Sequence, residues 1–114
     1  MNNEAIAEIC HEVNRALEYA STGTLGPSWD QGDPIIRQSA ISGVQSVRDN
    51  PDLTAEEAHE LWLHYKQMEG WVHGEVKCVK TKTHPCMLPY SELPAAERIK
   101  DSVFVALVDQ LKDR

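Results

Sequence analysis

The sequence predicts a mainly α-helical domain of about four helices with one small β-hairpin. Apolar residues recur at three- and four-residue steps in four separate stretches, the spacing of one helix face. Helix-start signals stand ahead of three of them: Asp33-Pro34, Thr54 with Glu57, and Pro94. Only residues 71–76 alternate apolar and polar as a strand does. A chain of 114 residues is one domain by length. It can bury roughly two-thirds of its unfolded surface, so folding requires neither disulfides nor a metal.

Helix 1 is expected over residues 4–19, with Ile6, Ile9, Cys10, Val13 and Leu17 on its apolar face. Asn3 is placed to cap it, with Glu4 and Glu8 near the positive end of the dipole. His11, Glu12 and Arg15 fall mainly off that face and read as solvated. Cys10 reads as a small core residue, not a nucleophile. Residues 21–32 form a loop punctuated by Thr22-Gly23, Gly26-Pro27 and Gln31-Gly32. Trp29 stands alone in this polar stretch, either as a lid packed over the helices or as the aromatic wall of a pocket.

Helix 2 spans residues 34–49, with Asp33 as cap and a stripe of Ile36, Ala40, Ile41, Val44 and Val47. Asn50-Pro51 ends it, because a residue before proline avoids the helical region. Helix 3 spans residues 55–68 behind a capping box, with Ala58, Leu61, Trp62, Tyr65 and Met68 on one face. Gly70 stops it. A short strand over 71–76 is then followed by a basic turn with Lys77, Lys80 and Lys82, and by a returning strand ending near Pro85. Helix 4 spans residues 94–111, and its apolar stripe of Ile99, Val103, Phe104, Ala106, Leu107 and Leu111 is wide enough to meet more than one neighbour.

Eleven basic and eighteen acidic residues give a net charge of −7. That weighs against nucleic acid and against an anionic membrane surface, since both select a basic face. No apolar run approaches the roughly 20 residues that span a bilayer. Three scattered cysteines and no secretory leader pattern make a cytoplasmic protein with reduced thiols the expectation.

Enzyme signatures fail on spacing. His59 and His64 resemble a zinc-protease pair but are five residues apart, which turns the second roughly 140° away from the first at about 100° per residue. Cys78, His84 and Cys86 lack the paired spacings of structural zinc. Cys86 follows a proline in an apolar run, where burial is the expectation rather than thiolate chemistry. No phosphate-cradling glycine loop is present. The expectation is therefore a protein without catalytic residues, metal or cofactor.

Residues 58–98 hold the uncommon side chains: His59-Glu60-Leu61-Trp62, Lys66, Gly70-Trp71, Gly74, Lys82, His84-Pro85-Cys86, Leu93-Pro94 and Glu97-Arg98. In this order they resemble the RyR domain, the repeat of ryanodine-receptor calcium channels that also occurs alone in bacterial and phage proteins. Upstream, Cys10-His11-Glu12-Val13-Asn14-Arg15, Pro27-Ser28-Trp29 and Gln38–Val44 are similar to stand-alone members. His73, where an aromatic is usual, and Lys77-Cys78, where an acidic residue is common, depart from the pattern. The resemblance implies a helical domain with a small hairpin and no transmembrane pore. It also implies a binding module for a nucleotide-like or other aromatic small molecule.

Trp62 and Trp71 then offer stacking faces, and Lys66, one turn from Trp62, is placed to meet a phosphate. His73, Arg98 and Trp29 complete the candidate site. The competing reading makes Trp62 and Trp71 a core clamp, His84-Pro85-Cys86 a rigid turn, and Lys66 an apolar stem over the core. A protein-interaction module without a small ligand is the alternative function. Because the channel repeats pair and this chain has one copy, a homodimer is expected, with helix 4 supplying Val103, Phe104, Leu107 and Val108.

Overall fold

The structure, a computed structural model, describes all residues 1–114. Four helices form its frame: α1 (Asn3–Thr22), α2 (Pro34–Asp49), α3 (Ala55–Met68) and α4 (Ala95–Leu111). Two short strands, β1 (Val72–His73) and β2 (Thr83–His84), and a single 3-10 turn (Tyr90–Glu92) lie between α3 and α4. No helix is long and apolar enough to cross a membrane.

The helix ends follow the sequence signals closely. Asp33 accepts from the Ile35 N–H at 2.9 Å, and Pro34 opens α2. Both bonds of the Thr54–Glu57 capping box are made. For α1 the cap is Asn2 and not Asn3, because Asn2 Oδ1 is the atom that reaches the Ala5 N–H, at 2.8 Å. That helix also runs on to Thr22, where Gly23 at φ 77° returns its N–H to the Tyr19 carbonyl. Pro94 precedes α4 as its cap residue.

The expected two-stranded element is present, but it is not a hairpin between its two strands. β1 and β2 pair in parallel, Val72 opposite Thr83 and His73 opposite His84. The chain reverses twice between them. One reversal follows Gly74; the other is a tight turn closed by two bonds between Cys78 and Thr83, at 3.0 and 3.1 Å. Two reversals restore the original direction. The pairing is possible because Gly74 has no side chain: a Cβ there would sit 2.6 Å from the Thr83 Cβ. Lys82 takes φ 53° and sends its Nζ back to the Glu69 carbonyl, tying the turn to the end of α3.

The apolar core lies among α1, α2 and α4. Ile6, Ala7, Cys10, Trp29, Val44, Val47 and Val108 form it, with Phe104, Leu107 and Leu111 packed against it. Trp29 is therefore the packed lid. The polar face of α1 is not simply solvated, because it straps that lid down. His11 Nε2–H donates to Pro27 O at 2.9 Å, Arg15 Nε–H to Gly26 O at 2.8 Å, and Glu12 accepts the Trp29 N–H at 3.0 Å.

Helix α3 corrects the sequence reading of its faces. Leu61 and Met68, expected inside, are 40% and 75% exposed, whereas His59 and Lys66 are each 2% exposed. His59, Trp62 and Lys66 are spaced i, i+3, i+7 and form the inward stripe. His64, by contrast, is on the solvent side, which keeps the two histidines of α3 apart. On α4 a similar shift applies: Val105 and Val108 are buried and Ile99 is 54% exposed.

Candidate functional site: a cavity beside a buried lysine

Turning His59 and Lys66 inward leaves the space between α3 and the α1–α2–α4 core without apolar filling. A cavity of about 580 Å³ occupies it, walled by all four helices and by residues from the 77–86 segment. Trp62, Lys66, Ser39, Lys77, His84 and Cys86 are among its lining. The volume lies in the range of small-molecule sites.

Lys66 is the unusual member. Its Nζ donates to Ser39 Oγ at 2.7 Å and stands 4.3 Å from the centre of the Trp71 ring. No carboxylate is in ion-pair range of it, although buried charges are as a rule paired. Burial, reinforced by the positive charge of Lys77, pulls its pKa down to about 8. It is therefore still mainly an ammonium at neutral pH, with hydrogens left over after the one hydroxyl contact.

His84 stands beside it. The His84 carbonyl accepts the Met87 N–H at 3.3 Å, so His84-Pro85-Cys86 is indeed a turn. Yet the ring also lines the cavity, edge-on to Trp62 at 5.1 Å. Burial lowers its pKa to about 4, with Lys77, Lys66 and Lys100 adding to the shift, so the ring is neutral. The Cys86 N–H donates to His84 Nδ1 at 2.9 Å. A neutral ring that accepts at Nδ1 carries its proton at Nε2.

The remaining ionisable groups of the wall are largely engaged with one another. Lys100 pairs with Glu97 at 3.2 Å. His59 donates from Nε2 to Leu88 O at 2.7 Å and faces Asp101 from Nδ1 at 3.5 Å. Burial pushes the Asp101 carboxyl above its ordinary range, with His59 opposing. Cys86 Sγ reaches the Glu97 carboxylate at 3.5 Å, and burial pushes this thiol up to about 12. It is a protonated donor, not a thiolate. Cys10 is likewise pushed up to about 11 by burial. His, Cys, Asp and Glu side chains nowhere gather in threes at metal-holding distance.

The six residues singled out from sequence thus separate. Trp62 and Lys66 line the cavity. Trp71 is 2% exposed and forms the floor beneath Lys66, with its Nε1–H buried and unpartnered. Trp29 lies in the apolar core, His73 is exposed on β1, and Arg98 borders a separate shallow depression on α4. Sequence reasoning passed over Ser39, His84 and Lys77 as site residues. Ser39 had a legible signal, a polar residue on the inner side of α2 one position from the apolar Ala40.

Fold and cavity together define a small helical domain built around an interior space bordered by a buried lysine. The model of the RyR domain family matches residues 36–109, from the first turn of α2 to near the end of α4. The chain belongs to the RyR domain family. The match takes in Ser39, Trp62, Lys66, Trp71, His84 and Cys86, while α1 and the Trp29 loop precede it.

Proposed function

We propose that this RyR domain is a non-enzymatic binding module for a nucleotide-like or other flat aromatic small molecule, held in the central cavity. A role as sensor or sponge in a bacterial or phage cytoplasm is the setting this reading fits. One observation carries it: the Lys66 ammonium is 2% exposed, lacks a counter-ion, and borders a cavity of about 580 Å³. A buried charge without a partner costs several kcal/mol, and an anionic ligand relieves that cost. Trp62 adds a ring surface on the same wall, and base–aromatic stacking contributes about 1–3 kcal/mol per base in known sites. The protonated Cys86 thiol supports a binding rather than a catalytic role.

Thermal shift followed by calorimetry across a nucleotide panel is the test. Ligand at 100 times its dissociation constant stabilises the folded state by about 2.7 kcal/mol. A panel in which no member shifts the melting temperature or releases heat overturns the reading.

Self-association is the second reading. Tyr90, Ala95, Arg98, Ile99, Ser102 and Val103 line a shallow depression of about 350 Å³ on α4. This surface is smaller than the stripe read from sequence, because Phe104, Leu107 and Val108 are spent on the core. A two-fold homodimer through it is expected to bury more than roughly 1,000 Å². Sedimentation velocity at micromolar protein, with and without nucleotide, is expected to give the dimer mass; a monomer in both conditions removes it.

A further inference from the structure

We propose that the cavity reads its ligand at two ends: Lys66 receives the anionic group, and Asp101 accepts hydrogen bonds from the far edge of the ring, which selects a guanine-type over an adenine-type ring. This rests on the binding reading above and names the ring.

The side chains between those two residues fix their order along the cavity. Lys66 Nζ stands 4.3 Å from the centre of the Trp71 ring, and the Trp71 and His84 centres are 6.4 Å apart. From His84 the path runs 5.1 Å to the Trp62 centre and a further 5.5 Å to His59. His59 Nδ1 then faces Asp101 Oδ2 at 3.5 Å. His59 and Lys66 are seven residues apart on α3, which separates them by about 10 Å along the helix axis. Trp62 lies between them and lines the cavity, so a ring stacked on it has Lys66 toward one side and Asp101 toward the other.

Asp101 is the free acceptor at its end. It lines the cavity, and its buried Oδ2 accepts no hydrogen bond, the His59 contact being longer than an ordinary one. The other carboxylates of the wall are engaged or open to solvent. Asp33 caps α2, Glu97 holds Lys100 and the Cys86 thiol, and Glu18 is exposed. A buried acceptor left without a donor is costly, and a ligand N–H relieves that cost. Burial raises the Asp101 carboxyl to about 6, so at pH 7.5 it is chiefly ionised and only accepts. The base-pairing edge of guanine presents two adjacent donors, N1–H and the 2-amino group, which suit the two oxygens of one carboxylate. Adenine presents its 6-amino donor beside a bare N1, whose lone pair would meet a carboxylate oxygen. A site built to bond a ligand N–H rejects an analogue that lacks it.

The test holds the phosphate constant and varies the ring. Calorimetry at pH 7.5 would compare the 5′-monophosphates of guanosine, inosine and adenosine, and then their 3′,5′-cyclic monophosphates. In each series the guanine compound is expected to bind tightest, by at least tenfold over the adenine compound. Hypoxanthine, which keeps N1–H and lacks the 2-amino group, is expected between them. Asp101→Asn replaces one acceptor by a donor, and is expected to weaken the guanine compounds at least tenfold and to cancel their preference. Adenine compounds that bind wild-type protein as tightly as the guanine compounds, or tighter, overturn the ring inference and leave the binding reading in place. A guanine preference that survives in folded Asp101→Asn overturns the assignment to Asp101. Binding of none of the six compounds overturns both readings.

Discussion

Lys66→Met is expected to raise the stability of the ligand-free protein and to abolish its affinity for anions. The ammonium is 2% exposed, and its pKa falls from 10.5 to about 8 on folding, chiefly by burial. At 1.36 kcal/mol per pK step, that is a cost on the order of 3 kcal/mol for keeping the charge inside. Methionine has a similar length, fills the same channel beside Trp71, and removes the charge. Losing the bond to Ser39 gives back about 1 kcal/mol. The net expectation is a gain of about 1–3 kcal/mol, in line with replacement of buried charges by apolar side chains elsewhere. For a domain near 100 residues this raises the melting temperature by roughly 4–12 °C.

The pH dependence identifies the cause. Between pH 8 and 10.5 the unfolded chain holds the Lys66 proton and the folded chain releases it, so wild-type stability rises with pH across that window. Below pH 8 the cost is present in full. Urea unfolding from pH 7 to 10 is expected to show this rise in the wild type and less of it in Lys66→Met. A variant less stable than wild type at pH 7 would mean that Lys66 is a net structural support, and the main ground for an anion site would be gone.

That trade of stability for an uncompensated charge also explains which parts of the molecule could be read from sequence. Helix boundaries were legible because they rest on local chemistry: Asp33 with Pro34, and Thr54 with Glu57, cap the helices they were expected to cap. The faces of α3 were not. Hydrophobic periodicity ranks Leu61 and Met68 above His59 and Lys66, and here the fold inverts the ranking. Only partners distant in sequence make that inversion possible: Ser39 on α2 for Lys66, and Leu88 and Asp101 for His59. The parallel pairing of β1 with β2 was hidden for a related reason. A short alternating run followed by a turn reads as a hairpin, and the second reversal depends on Gly74 lying against Thr83. Part of the candidate site was visible, as Trp62 and Lys66 share the inward stripe of α3. Trp29, His73 and Arg98 were plausible by residue type alone, and residue type does not say which way a side chain faces.

Trp29 and Trp62 make separable predictions, of which Trp29→Ala carries the larger cost. Trp29 is 5% exposed and sits among Ile6, Ala7, Cys10, Val44, Val47 and Val108. Truncating a buried indole costs about 3–5 kcal/mol, against a total stability of about 5–15 kcal/mol for a domain. The melting temperature is expected to fall by roughly 12–20 °C at about 4 °C per kcal/mol. The hydrogen bonds from His11, Glu12 and Arg15 do not offset this, because they hold the loop backbone and not the core. Nucleotide affinity of the folded fraction is expected to be unchanged, since the ring is not part of the cavity wall. Trp62→Ala should behave in the opposite way. Its ring is only half-buried and lines the cavity, so the protein should remain folded and lose stacking affinity. Chemical denaturation and calorimetry on the two variants check the pair. If Trp29→Ala loses affinity while Trp62→Ala keeps it, the ligand lies on the α1 side of the molecule and the site assigned to Lys66 is wrong.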